Sequence, residues 1–176
     1  MKVYSLRTGI LCTLLFVVTA FLVVPFACRR LDELLRFPSS ITPMDIPLGV
    51  ILLVTGGALA LWCVILFLSI GRGTPVPIHP PKEFVVTGPY KYTRNPMMLG
   101  AWILLIGETL ILHSFVLLLF TVFFGIPAGV LFVIGDEEPD LEKRFGNEYL
   151  EYKKKVPRWI PDLKTLRGEK GRSMNK

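Results

Sequence analysis

Few residues in this chain have the chemistry to act on a ligand, and they gather in two short stretches. The first is Arg94-Asn95-Pro96. Asn is preferred just before a helix and Pro as the first helical residue, so a helix is expected to begin there. A helix start carries unpaired backbone N–H groups and the positive end of the helix dipole, which suits an anionic group. The Arg94 guanidinium adds a two-pronged donor. The second stretch, Glu137-Glu138, offers two carboxylates to a cation. Together they would suit a ligand that carries both charges. Each also has a plainer reading, in which Arg94 reaches lipid phosphates, Asn95 only caps, and the two acids solvate a helix end at Pro139. The two histidines, His79 and His113, stand far apart, and Cys12, Cys28 and Cys63 show no paired spacing, so no metal or redox site is expected.

The elements that must position these residues are membrane spans. The chain has 176 residues, 52% hydrophobic and 19% charged, with a mean hydropathy of +0.53, and its apolar residues come in long blocks. That pattern excludes a soluble globule and a largely disordered chain, and the length suits one domain. Uncharged runs over 8–27 and 46–71 are long enough to cross a bilayer. The run from Pro96 to Gly135 carries one formal charge, Glu108, and is long enough for two short helices. With a turn at Leu112-His113-Ser114 these are spans over 97–112 and 115–134, the latter kinked at Pro127. The first run exceeds a signal-peptide core and lacks a small-x-small site before Arg29-Arg30, so it is read as a retained span. The fold class expected is all-α and polytopic, with about four transmembrane helices.

Four spans put both termini on one side. Only three of the 20 Lys and Arg residues, Arg29, Arg30 and Arg36, fall on the other side. The positive-inside rule therefore makes the termini and the loop from Arg72 to Asn95 cytoplasmic. The same distribution assigns the +6 formal charge to topology and sets nucleic acid aside. The loop contains Pro75, Pro77, Pro80, Pro81 and Pro89 and cannot be mainly helical, yet Phe84 to Tyr92 is too aromatic and branched for a flexible linker. It should fold against something. Beyond span four, Pro139 reads as a first helical residue, and Leu141, Phe145, Tyr149 and Tyr152 form an apolar stripe interrupted by Gly146. Residues 162–176 read as a disordered basic tail after one membrane domain, 1–161.

These residues together resemble a family of membrane-embedded methyltransferases that includes isoprenylcysteine carboxyl methyltransferase and, more distantly, phospholipid N-methyltransferases. Thr87-Gly88-Pro89-Tyr90-Lys91-Tyr92-Thr93-Arg94-Asn95-Pro96-Met97-Met98-Leu99-Gly100 is similar to the family's G-x-Y-x-x-x-R-H-P-x-Y-x-G block. Glu137-Glu138, followed by the run from Arg144 to Pro157, is similar to its E-E…F-G-x-x-Y-x-x-Y-x-x-x-V-P block. The likeness covers roughly residues 82–161. It implies a cytoplasm-facing pocket that binds S-adenosylmethionine and opens to the bilayer for a lipidic or small hydrophobic methyl acceptor. Carried over by position, Lys82, Glu83, Phe84 and Val85 would line the cofactor, Tyr90 would pack on it, and Asn95, Pro96, Met97 and Met98 would form the helix start against it. Glu137 would bind it from the other side, with Glu138, Tyr149 and Tyr152 as further candidates.

The departures are chemical. The family's His is Asn95, which can hydrogen-bond but cannot titrate, and the Tyr two residues after the family's Pro is Met98, without a hydroxyl. Where prenylcysteine enzymes place an arginine four residues before the matching glutamate, this chain has Val133. Methyl transfer from a sulfonium is an in-line displacement, so orientation is most of the task. Arg94, Asn95 and Glu138 are the residues expected at the reacting end, with Arg94 holding an anionic group of the acceptor. A carboxylate acceptor needs no general base and stands ahead of a lipid amine, which must lose a proton. A non-catalytic membrane scaffold is the reading from a different class. Glu108, an ionisable group inside a span, is either functional or satisfied at the far interface or within the bundle.

Overall fold

A computed structural model of the chain describes residues 6–37, 42–75 and 79–161. The proposed tail, 162–176, lies outside the described residues. Four apolar helices form the bundle: α1 (Arg7–Leu35), α2 (Asp45–Ser69), α3 (Pro96–Leu112) and α4 (Phe115–Phe145). Three of them are long and apolar enough to cross a membrane, and α3, at 17 residues or about 26 Å, is slightly shorter. A fifth helix, α5 (Asn147–Lys155), is short and polar. No strand occurs among the described residues.

The bundle is held by a seam of small residues. Gly49 and Gly56 of α2 face Gly107 and Gly100 of α3 so closely that a methyl group on Gly56 would fall 2.6 Å from the Gly100 carbonyl oxygen. One on Gly107 would fall 2.8 Å from the Gly49 carbonyl oxygen. In lipid, where burying apolar surface gains little, this close backbone approach is what joins helices. Large side chains such as Phe16, Trp62 and Phe123 point outward, as a lipid-facing surface requires.

The turn after Leu112 forms as the sequence suggests: His113 takes a left-handed backbone, and the Ser114 side chain caps α4 by accepting from the Leu117 N–H. Two expectations are corrected. The first helix does not end near Ala27 but runs to Leu35, because Asp32 is buried, accepting from the Ser114 hydroxyl and from the Val116 N–H at 2.9 Å. Arg29 likewise donates to the His113 carbonyl. Nor does Pro139 start a new helix; it lies inside α4. Pro25, Pro127 and Pro139 each follow, two residues on, a wide turn closed by an i→i−5 bond: Val24 to Thr19, Ile126 to Thr121 and Glu138 to Val133. A proline ring clashes with the carbonyl four residues back, and the wide turn relieves that clash without breaking the helix. α4 breaks from α5 only at Gly146, where φ is +52°.

Both ends of the bundle are thereby defined. At one, Asp32, Arg29, Asp45 and His113 gather over the turn between α3 and α4. At the other, the start of α1 meets the proline-rich loop, with Gly9 against Thr74 and His79. The loop, the start of α3 and the end of α4 share that second end.

Candidate functional site

The loop reaches the site by a short series of pins. The Gly71 carbonyl, past the end of α2, accepts from the Lys82 N–H (2.7 Å) and the Glu83 N–H (3.2 Å), while Arg144 donates to the Pro81 carbonyl. Lys82 and Glu83 are exposed. The Phe84 ring stacks on Phe145 at 5.0 Å and meets Tyr149 and Tyr152 edge-on, so the aromatic stripe beyond span four packs on the loop. Val85 enters a buried cluster with Cys63 and Tyr90, against which Met97 packs. Tyr90 sits on a single turn, Gly88–Lys91, stacks on Phe67 at 5.5 Å, and accepts at its carbonyl from the Tyr152 hydroxyl at 2.7 Å.

The helix start at Pro96 is where the sequence puts it, but Asn95 does not cap it with its side chain. Its Nδ2 donates instead to the Arg158 carbonyl at 3.0 Å. A strap after α5 crosses this helix start: the Arg94 N–H donates to Pro157 at 2.9 Å, and the Thr93 hydroxyl reaches Arg158 and Trp159. The Trp159 ring packs against Trp102 of α3 at 4.9 Å. Met98 and Trp102 in turn lie against Gly129 of α4. Sequence reasoning misses the strap; Val156-Pro157 is its one local signal, since the partners lie more than sixty residues away.

The two acids have opposite surroundings. Glu138 is buried and carries three cations: Arg158 in a bidentate pair (2.8 and 2.9 Å), Arg94 at 2.8 Å, and Lys153 at 3.5 Å. Burial alone would raise its pKa, but the Arg158 hydrogen bonds and the three positive charges hold the carboxyl below its ordinary value. Glu137, beyond the apolar part of α4 and half-buried, pairs with no cation among the described residues. Burial first, then the negative charges of Glu138 and Asp140, push its carboxyl up to about 7. Burial also pushes the Tyr149 hydroxyl up to about 12, which keeps it protonated.

Three buried polar atoms at this end lack an aligned hydrogen-bond partner among the described residues: the Thr87 hydroxyl and the Nε and Nη1 of Arg94. The Arg94 Nη1 is close to Glu138, but the approach lacks hydrogen-bond alignment. Arg94 also lines an open recess of about 520 Å³ with Lys153, Lys154, Lys155 and Ile160. A carboxylate without a cation stands on the same end as unsatisfied donors. The sequence of helix, loop, helical pair and paired acids has a counterpart: the model of the phospholipid methyltransferase family matches residues 44–148.

The chain belongs to that family. The match runs from the start of α2 into the first turn of α5, so it takes in the loop, the α3–α4 pair and both acids but not the strap. Family membership makes this a membrane methyltransferase and leaves open whether the acceptor is a carboxylate or an amine. No curated protein and no solved structure matches the chain.

Proposed function

We propose that the chain binds S-adenosylmethionine at the loop end of the bundle and transfers its methyl to a lipidic acceptor carrying an anionic group. The observation that carries this is the contrast between Glu138, saturated by three cations, and Glu137, with none among the described residues. A half-buried carboxylate gains from a cationic partner, and Glu137 has none among the described residues, so the cationic part of a ligand fits it. The Thr87 hydroxyl, buried without a hydrogen-bond partner among the described residues, fits the ligand's polar edges. S-adenosylmethionine, when bound, supplies an electrophilic methyl on a sulfonium, whose carbon–sulfur bond breaks as the acceptor bonds to carbon.

The chain's own residues then have distinct tasks. Glu137 holds the cationic part of the cofactor, with Tyr90, Val85 and the start of α3 at Asn95, Pro96 and Met97 forming the wall around it. Glu138 acts as a positioning residue: by tying Arg94 and Arg158 together it fixes the strap over the helix start. Arg94 faces the basic recess and holds the acceptor's anion. Lys82 and Glu83, being exposed, belong to the rim, and Phe84 supports the site through the aromatic stripe. The positive-inside count puts this end in the cytoplasm, with both termini.

With a carboxylate acceptor the anion held near Arg94 is also the nucleophile, and no proton acceptor is needed. The match to phospholipid methyltransferases favours a second reading, in which the recess holds a phosphate and the nucleophile is a lipid amine. Offering prenylcysteine and phosphatidylethanolamine separately, with methyl-labelled cofactor, tests both. Label in the first product supports carboxyl transfer, label in the second supports the amine, and label in neither from protein that binds the cofactor would count against both acceptors.

A further inference from the structure

At the opposite end of the bundle, Glu108 lines a recess of about 140 Å³ walled by Leu22, Pro25 and Phe26 of α1, Leu53 of α2 and Ile111 of α3. Glu108 is the one ionisable group in that lining. Its Oε2 is buried without a hydrogen-bond partner among the described residues. Arg29, one turn beyond Pro25 on α1, is engaged by Glu33 at 3.5 Å and by the His113 carbonyl at 3.4 Å. The rim opens sideways to lipid, since Leu22 and Phe26 are 53% and 59% exposed.

We propose that this recess is a lipid-facing site for the protonated amine of a long-chain amphiphile. The complementarity is of charge and of polarity. An ammonium brings three N–H donors and a positive charge to a carboxylate that has neither, while the aliphatic chain lies along Leu22 and Phe26 toward the acyl region. A hydroxyl brings a hydrogen bond but no charge, so it cannot form the ion pair that an ammonium forms with this carboxyl, and an alcohol of the same length is the poorer occupant. The site is separate from the acceptor position: Glu108 lies thirteen residues along α3 from Asn95, about 20 Å away. It therefore stands or falls independently of the methyl-transfer reading.

The test uses the full chain in phosphatidylcholine nanodiscs and a fluorescent long-chain primary amine, with the matched alcohol as the second probe. Expected is saturable binding of the amine, about tenfold or more weaker binding of the alcohol, and a loss of at least about tenfold in Glu108→Gln. Leu22→Trp, on the lipid-exposed rim, should narrow the mouth and weaken the amine without touching the carboxylate. Thermal unfolding of both variants should stay within about 2 °C of the unsubstituted chain, which reports that they are folded. Equal affinity for amine and alcohol, unchanged amine binding in Glu108→Gln, or no saturable binding by folded protein would each overturn the site.

Discussion

Replacing Glu138 by Gln removes one charge from under three cations, and the three do not lose equally. The Arg94 side chain is 10% exposed, with its Nη1 2.8 Å from the carboxylate, so it cannot turn to water when the charge is lost. Arg158 and Lys153 are 31% and 35% exposed and can. Removing one partner of a buried pair costs about 3–5 kcal/mol, whereas an exposed pair contributes below about 1 kcal/mol. At about 2–4 °C per kcal/mol for a chain of this size, thermal unfolding in detergent should fall by roughly 6–20 °C. A double-mutant cycle gives the finer reading. Coupling of Glu138→Gln with Arg94→Met should exceed about 2 kcal/mol, and coupling with Lys153→Met should stay below about 1 kcal/mol. Unfolding within about 2 °C of the unsubstituted chain, or equal coupling to Arg94 and Lys153, would refute the idea that this carboxylate organises the site.

Cofactor affinity should depend on pH through Glu137. Burial and the neighbouring acids push its carboxyl up to about 7, so a cationic ligand meets an anion above that pH and must displace a proton below it. Binding measured by calorimetry should be level above about pH 8 and weaken by up to about tenfold per pH unit below 7, a dependence that Glu137→Gln abolishes. In the α2–α3 seam, Gly56→Ala would press a methyl to 2.6 Å from backbone and should cost about 1–3 kcal/mol, read as a lower unfolding temperature. Its neighbour Gly57 would meet only Leu104 at 3.7 Å, and Gly57→Ala should be neutral or stabilise by up to about 1 kcal/mol. Tyr152→Phe removes the 2.7 Å bond to the Tyr90 carbonyl and should cost about 1 kcal/mol in the same assay while keeping the contact with Phe84.

What the sequence reveals and what it hides divide along local and distant causes. The start of α3 is legible because Asn95 and Pro96 are preferred at adjacent positions of a helix start, and the turn at His113 because a polar pair interrupts an apolar run. The folded loop is legible because Phe84 to Tyr92 is too apolar to remain in water. The end of α1 is hidden: Arg29, Arg30 and Asp32 read as a loop until Ser114, some eighty residues away, is seen to donate to Asp32. Pro139 reads as a helix start because a wide turn is an adjustment of backbone geometry with no residue type of its own. The partner of Asn95 is hidden for the same reason as Arg158 itself, because the strap meets the helix start only after the chain has closed on itself. In the acid pair the residue types are alike and the resemblance gives Glu137 to the cofactor and Glu138 to the reacting end, while packing alone shows that Glu138 holds the strap and that Glu137 has no cation among the described residues.

The most direct test is S-adenosylmethionine binding to the full chain in nanodiscs, with Glu137→Gln and Lys82→Gln alongside. Expected is saturable binding that falls at least about tenfold in Glu137→Gln, with thermal unfolding unchanged, and falls little when the rim residue Lys82 is replaced. Equal affinity in Glu137→Gln, or no binding by folded unsubstituted protein, would contradict the assignment of this carboxylate to the cofactor.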